Sequence, residues 1–262
     1  MSQGIGDVTG KNILITGATS GLGWHFAHLL SGAGARVVIT GRRIERLETL
    51  CSEIEKAGGR ALPIALDVCS LDSIARTVEE AETELGPLDA LINNAGISME
   101  GRALEVNGEN YDAIMDTNLK GPFFMATEVA RRMIARRKEG SDTVGKIVNI
   151  ASVGAHTLLP GLSLYNMAKA GLIMMTRALA REWARQGVNV NAICPGYIET
   201  ELNSTWFNSE PGKKQIATFT RRRLHHAEDL DGVLLLLCSD RSDAMTGSVI
   251  DVDDGQSLVG IG

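Results

Sequence analysis

The sequence has no pair of cysteines at CxxC spacing, no long apolar run, no surplus of positive charge and only 4% aromatic residues. Its four cysteines, Cys51, Cys69, Cys194 and Cys238, lie far apart in apolar or small-residue stretches and read as reduced core thiols. The longest apolar run, 233–238, falls far short of the roughly 20 residues that a membrane span requires. No apolar block of signal-peptide length stands in 1–11, so a cytoplasmic, reducing compartment is expected. Lys and Arg number 26 against 32 Asp and Glu, and the net charge of −6 argues against nucleic acid or an anionic membrane as partner. Internal repeats, low-complexity tracts and proline-rich linkers are also missing, so the 262 residues are expected to form a single domain, 1–262.

What is present is a rhythm. Short runs rich in Ile and Val at 12–16, 36–40, 61–66, 90–93, 146–150, 189–193 and 248–252 read as strands. Helical apolar spacing occupies 22–30, 71–85, 111–137, 165–185 and 227–238. Seven strands alternating with helices predict an α/β chain with a parallel sheet and helices on both faces. Right-handed crossovers wind such an order into a doubly wound open sheet, with ligands at the carboxyl ends of the strands. The stretch 196–215 lacks periodicity and, with the residues up to 226, reads as a lid over a substrate.

The first strand runs into Thr16-Gly17-Ala18-Thr19-Ser20-Gly21-Leu22-Gly23, a GxxxGxG turn that opens a helix. Glycines allow a tight turn with inward amides, and the helix N-terminus suits a pyrophosphate. A P-loop would need Lys-Ser/Thr after the last glycine, whereas Trp24 and His25 follow Gly23. At the end of the second strand a carboxylate reads a ribose 2′-hydroxyl, and an arginine accommodates a 2′-phosphate. Here Arg42 and Arg43 follow Thr40-Gly41, with no carboxylate before Glu45. NADPH/NADP is therefore the preferred cofactor, with NADH/NAD left open.

Among Tyr111, Tyr165 and Tyr197, only Tyr165 has a lysine four residues on, Lys169, which places the two on one helix face. In chain order the glycine turn, Asn93-Asn94-Ala95-Gly96, Asn118, Ser152, Tyr165, Lys169 and Pro195-Gly196 resemble the short-chain dehydrogenase/reductase family, over almost the whole chain. The resemblance implies a Rossmann-type fold and hydride transfer between a nicotinamide and a carbonyl or secondary alcohol, with a catalytic tetrad of Asn118, Ser152, Tyr165 and Lys169. It further implies that Lys169 holds the nicotinamide ribose, Asn118 anchors a water and Asn94, Ala95 and Gly96 stabilise the sheet beside the cofactor. By the same resemblance Asp67 and Val68 hold the adenine, while Ile198 and Thr200 after Pro195-Gly196 grip the carboxamide. Physically, a phenol near 10 donates a proton readily but must fall to about 7 to act as a base. Lys169 is expected to supply most of that shift if it is near.

The general look is that of 3-oxoacyl-carrier-protein reductase-like members, so the expected substrate is a small carbonyl or alcohol, free or linked to an acyl carrier or acyl-CoA. An NAD-dependent secondary-alcohol dehydrogenase and a non-catalytic dinucleotide-binding sensor are the alternative readings. The family also suggests a homotetramer built on the helices over 111–137 and 165–185 and on the last strand. Trp206, Phe207, Phe219, Leu158, Leu159 and Leu162 are candidates to line an apolar pocket. Arg221-Arg222-Arg223 reads as an exposed helix entrance or a welcome for an acidic substrate, and Met174, Met175 and Leu179 read first as core. Asp254 stands where the family commonly has glycine, in a turn that aspartate tolerates. No catalytic metal is expected, because Asp251, Asp253 and the paired histidines lack a supporting ligand geometry.

Overall fold

Runs of Ile, Val and Leu make the strands of one sheet, buried on both faces at its centre and more open at its two edges. In the computed structural model, which describes residues 4–199 and 204–258, these are β1 (Asn12–Ile15), β2 (Arg36–Gly41), β3 (Arg60–Ala65), β4 (Ala90–Asn93), β5 (Gly145–Ile150), β6 (Val188–Pro195) and β7 (Val249–Val252). All pair in parallel, in the order β3-β2-β1-β4-β5-β6-β7. The chain walks outward from β1 to β3, then returns to the other side of β1 at β4. That reversal opens a crevice at the carboxyl ends of β1 and β4, where a doubly wound sheet binds its ligand.

Alternation along the strands feeds two separate cores. Ile13, Ile15, Val37 and Ile39 face α1 (Gly21–Gly32), α2 (Ile44–Lys56) and α9 (Asp231–Cys238). Leu14, Val38, Leu91 and Ile147 face α3 (Leu71–Leu85), α5 (Gly121–Lys138) and α6 (Ser163–Trp183). Helix α2, to which the sequence reading gave no bounds, buries Leu47, Leu50 and Ile54 on one stripe. The basic run on α5 is also structural, since Arg136 Nη1 lies 2.6 Å from Glu82 on α3 and Arg131 pairs with Glu128.

The single helix expected over 111–137 is in fact broken. α4 (Gly108–Met115) passes into a π-helical turn, Asp116–Lys120, before α5 begins. Pro122 lacks the N–H that would serve the Asn118 carbonyl in an α-helix. The widened turn points Asn118 inward, fully buried. The aperiodic stretch after β6 contains two short helices, α7 (Ser204–Phe207) and α8 (Glu210–Thr218). Their base is closed by the His225 N–H, which donates to the Tyr197 carbonyl at 2.8 Å.

Candidate active site

The glycine turn is held from β4. Thr16 Oγ1 accepts the backbone N–H groups of Asn94 and Ala95, both at 3.0 Å, and Asn94 Nδ2 donates to the carbonyls of Thr16 and Gly17. Two glycines are dictated by shape. A Cβ on Gly17, whose φ is +70°, would lie 2.8 Å from Ala95 Cα, and one on Gly23 would lie 2.3 Å from the Gly17 carbonyl oxygen. Ser20 caps α1 by position but makes no capping hydrogen bond through its side chain, which leaves first-turn amides to serve an outside anion. Thr19, Ser20, Gly21 and Leu22 thus sit on the rim of the crevice.

Arg42 and Arg43 follow β2 beside that rim, both exposed. Arg43 Nη2 donates to Thr19 Oγ1 at 2.7 Å and to Ser20 Oγ at 3.2 Å, which fixes its guanidinium over the turn. Asp67 and Val68 come to the same end of the sheet, because the Leu66 N–H donates to the Gly41 carbonyl.

On the other side of the switch point, β5 delivers Ser152 and α6 delivers Tyr165 and Lys169. Ser152 Oγ accepts the Gly154 N–H at 3.0 Å and stands near enough to the Tyr165 hydroxyl to favour its ionised form. Lys169 is buried; its Nζ donates to the Ile150 carbonyl at 2.8 Å and lies 5.6 Å from the centre of the Tyr165 ring. Gly96 completes the convergence, since a Cβ there would meet Asn118 Oδ1 at 3.3 Å and Lys169 Nζ at 3.6 Å. Both polar atoms of the Asn118 side chain are taken by the backbone of Ile97, at 2.8 Å each. Pro195 and Gly196 close the wall, with the Gly196 N–H on the Val252 carbonyl, and Ile198 is buried beyond them. Thr200 lies outside the described residues.

Electrostatics here depart from the expectation drawn for Tyr165. Burial raises its phenol above 10, with nearby Ser152 only partly opposing, so Lys169 does not bring it towards 7 in this structure. Desolvation dominates because Lys169 is itself buried and its ammonium is pulled down from 10.5 to about 8. A cation held weakly cannot strongly acidify its neighbour. The arrangement suits a tyrosine that stays protonated at neutral pH and donates.

Several flanking residues also have settled places. Phe219 stacks on Tyr197 with centroids 4.9 Å apart, and Phe207 meets Tyr197 edge-on, so these rings form the small core of the α7–α8 cover. Trp206 and Leu158 are exposed. Met174 is 62% exposed, which corrects the core reading for it, while Met175 and Leu179 are buried as expected. Asp254 adopts φ +53° at the position where glycine is common, and its carboxylate takes Arg223 at 2.6 Å and Arg221 at 3.4 Å. Arg223 also reaches Asp229 at 3.0 Å. Two of the three consecutive arginines are therefore committed to carboxylates that lock the cover's exit to the end of β7.

A crevice at a topological switch point, a glycine turn feeding a helix N-terminus and a serine, tyrosine and lysine converging beside it define a nicotinamide-dependent oxidoreductase acting on CH–OH and C=O groups. A family model described as enoyl-(acyl carrier protein) reductase matches residues 17–257, and the chain belongs to the short-chain dehydrogenase/reductase family. It is 34% identical to a gluconate 5-dehydrogenase of Gluconobacter oxydans over 95% of each chain. It is 36% identical to a 3-oxoacyl-(acyl-carrier-protein) reductase of Thermotoga maritima, over 94% of this chain and 97% of that one. A crystal structure of a gluconate 5-dehydrogenase from Burkholderia cenocepacia, in complex with NADP and tartrate, superposes with a TM-score of 0.92 at 31% identity, covering 99% of this chain and 100% of that one.

Proposed function

We propose that the protein is an NADP(H)-dependent ketoreductase, working on a small ketone or the corresponding secondary alcohol. The observation that carries this reading is the group formed by buried Ser152 and Lys169 with half-buried Tyr165, at the mouth of a crevice rimmed by Arg42 and Arg43 rather than by a carboxylate. Tyr165 is the proton donor to the nascent alkoxide, and its raised phenol favours that direction at neutral pH. Ser152, oriented by the Gly154 N–H, holds the carbonyl oxygen beside the phenol. Lys169 binds the nicotinamide ribose hydroxyls and supplies a nearby positive charge. Asn118 fixes the β4 exit through Ile97 and anchors a water with the carbonyl that Pro122 cannot serve. Gly17, Thr19 to Gly23, Asp67, Val68, Asn94 to Gly96, Pro195, Gly196 and Ile198 form the remaining cofactor wall; Thr200, assigned to it from the sequence, lies outside the described residues. When bound, the nicotinamide supplies or accepts the hydride.

The segment 196–226 is read as a lid that excludes water, hinged on the Tyr197–His225 backbone bond. The homotetramer that the family resemblance suggests is supported by apolar side chains left exposed on its expected interface helices, Phe123 on α5 and Met167 and Met174 on α6. Light scattering on the purified protein tests the assembly directly.

The deciding assay sets a panel of 3-oxoacyl thioesters, keto-sugar acids and simple ketones against both reduced cofactors. Turnover of at least one ketone with NADPH preferred is expected; NADH preferred by about tenfold in kcat/KM, some 1.4 kcal/mol, would reverse the cofactor assignment. Replacing both arginines (R42A/R43A) is expected to cost NADPH about tenfold or more in KM while leaving NADH within about twofold, because a charge-assisted phosphate contact is removed. Gly23→Ala is expected to raise the NADPH dissociation constant by at least about tenfold in fluorescence titration, since its Cβ would collide with the Gly17 carbonyl. Gly32→Ala, with nothing within 4 Å of the added atom, is the matched control and should bind normally.

A further inference from the structure

His156, Cys194 and Asp251 bring an imidazole nitrogen, a thiol and a carboxylate oxygen within 4.8 Å of one another. Nothing in the proposed reaction uses them. Cys194 and Asp251 are register partners on the parallel strands β6 and β7, so their side chains leave the sheet on the same face. His156 arrives from the turn after Ser152 and places Nε2 3.0 Å from Asp251 Oδ1. The three residues are separated by 38 and 57 positions along the chain (156 to 194, 194 to 251), which is why no sequence motif joins them.

We propose that His156, Cys194 and Asp251 form a binding site for a thiophilic divalent cation of the zinc class, and that occupancy inhibits the enzyme. The ligand types are those zinc takes, and three protein ligands leave a fourth tetrahedral position for water. Bond lengths near 2.0–2.3 Å at tetrahedral angles demand ligand atoms roughly 3.5 Å apart. The three ligand atoms lie within 4.8 Å of one another, and the His156 side chain, 31% exposed, has the freedom to adjust toward that geometry. Access exists as well, because His156 and Asp251 are both exposed, on either side of the buried Cys194.

On binding, the S–H bond of Cys194 breaks, the sulfur–metal bond forms and the proton leaves to solvent, with no change in oxidation state. Inhibition follows from position. Ser152 and His156 cap the two ends of one short turn, 153–155, and Ser152 Oγ accepts the Gly154 N–H within it. Drawing His156 to a metal therefore strains the turn that sets the residue holding the substrate carbonyl. This second clause rests on the proposed reaction; the binding clause does not.

Cobalt(II) is the direct probe, because a cobalt–thiolate bond gives a charge-transfer absorption in the near ultraviolet whether or not any substrate is turned over. One equivalent of cobalt(II) is expected to produce that band in the full-length protein. Cys194→Ser should abolish it, and His156→Ala should weaken cobalt binding by at least about tenfold. Absence of the band in the parent protein, or its persistence in C194S, overturns the site. With activity established, micromolar zinc chloride should inhibit the parent enzyme and spare H156A, whose uninhibited rate stays at the parent level. Equal inhibition of H156A overturns the coupling to catalysis.

Discussion

Tyr165→Phe is expected to lower turnover by at least about a hundredfold while NADPH still binds within about threefold of its normal affinity. The phenol carries the proton in the proposed reaction, and general acid catalysis by one positioned group accounts for about two to four orders of magnitude. Phenylalanine preserves the ring and deletes only the hydroxyl. Losing the hydrogen bonding of one hydroxyl costs about 1 kcal/mol, so the variant should fold and its defect can be assigned to chemistry. The measurement is steady-state kinetics on whichever ketone the substrate panel identifies, together with cofactor titration. Near-normal turnover would falsify the assignment of Tyr165 as the acid.

Lys169→Met should divide function from stability. Activity is expected to fall by about a hundredfold or more, because the ammonium that steadies the developing charge and binds the ribose is lost. Stability of the cofactor-free protein should not fall with it. A buried lysine pulled down from 10.5 to about 8 keeps its charge only at a desolvation cost, offset in part by the hydrogen bond to the Ile150 carbonyl. The sign of its pH dependence is fixed by the direction of that shift. Between about pH 8 and 10.5 the unfolded chain binds the proton more tightly than the native one, so this group's contribution to stability rises with pH. Urea unfolding at pH 8 and pH 10 should show the parent gaining about 1–2 kcal/mol relative to K169M. An unchanged difference between the two proteins would mean that Lys169 is not desolvated in the folded state.

Much of the site was legible because its parts are local. The glycine turn is a contiguous motif whose spacing reports its own geometry, and Tyr165 and Lys169 share a face through helical periodicity alone. Asp254 was legible too: its tolerance of a left-handed backbone is intrinsic, and φ is +53°. The break in the long helix was not read, although Gly121-Pro122 stood in plain view, because apolar spacing continues through both halves. The height of the Tyr165 phenol was misjudged because a nearby cation was weighed without its own desolvation.

The sequence by itself determined the alternating elements, the phosphate-binding bend and the family, since each depends on contacts between near neighbours in the chain. Tertiary structure alone decided which charges neutralise one another and how deeply the reacting groups are buried. It set Arg223 on Asp254, gave both polar atoms of the Asn118 side chain to Ile97, and placed His156 beside Cys194 and Asp251. Coulomb forces and desolvation depend on distance through space, and strand order, not chain order, fixes that distance.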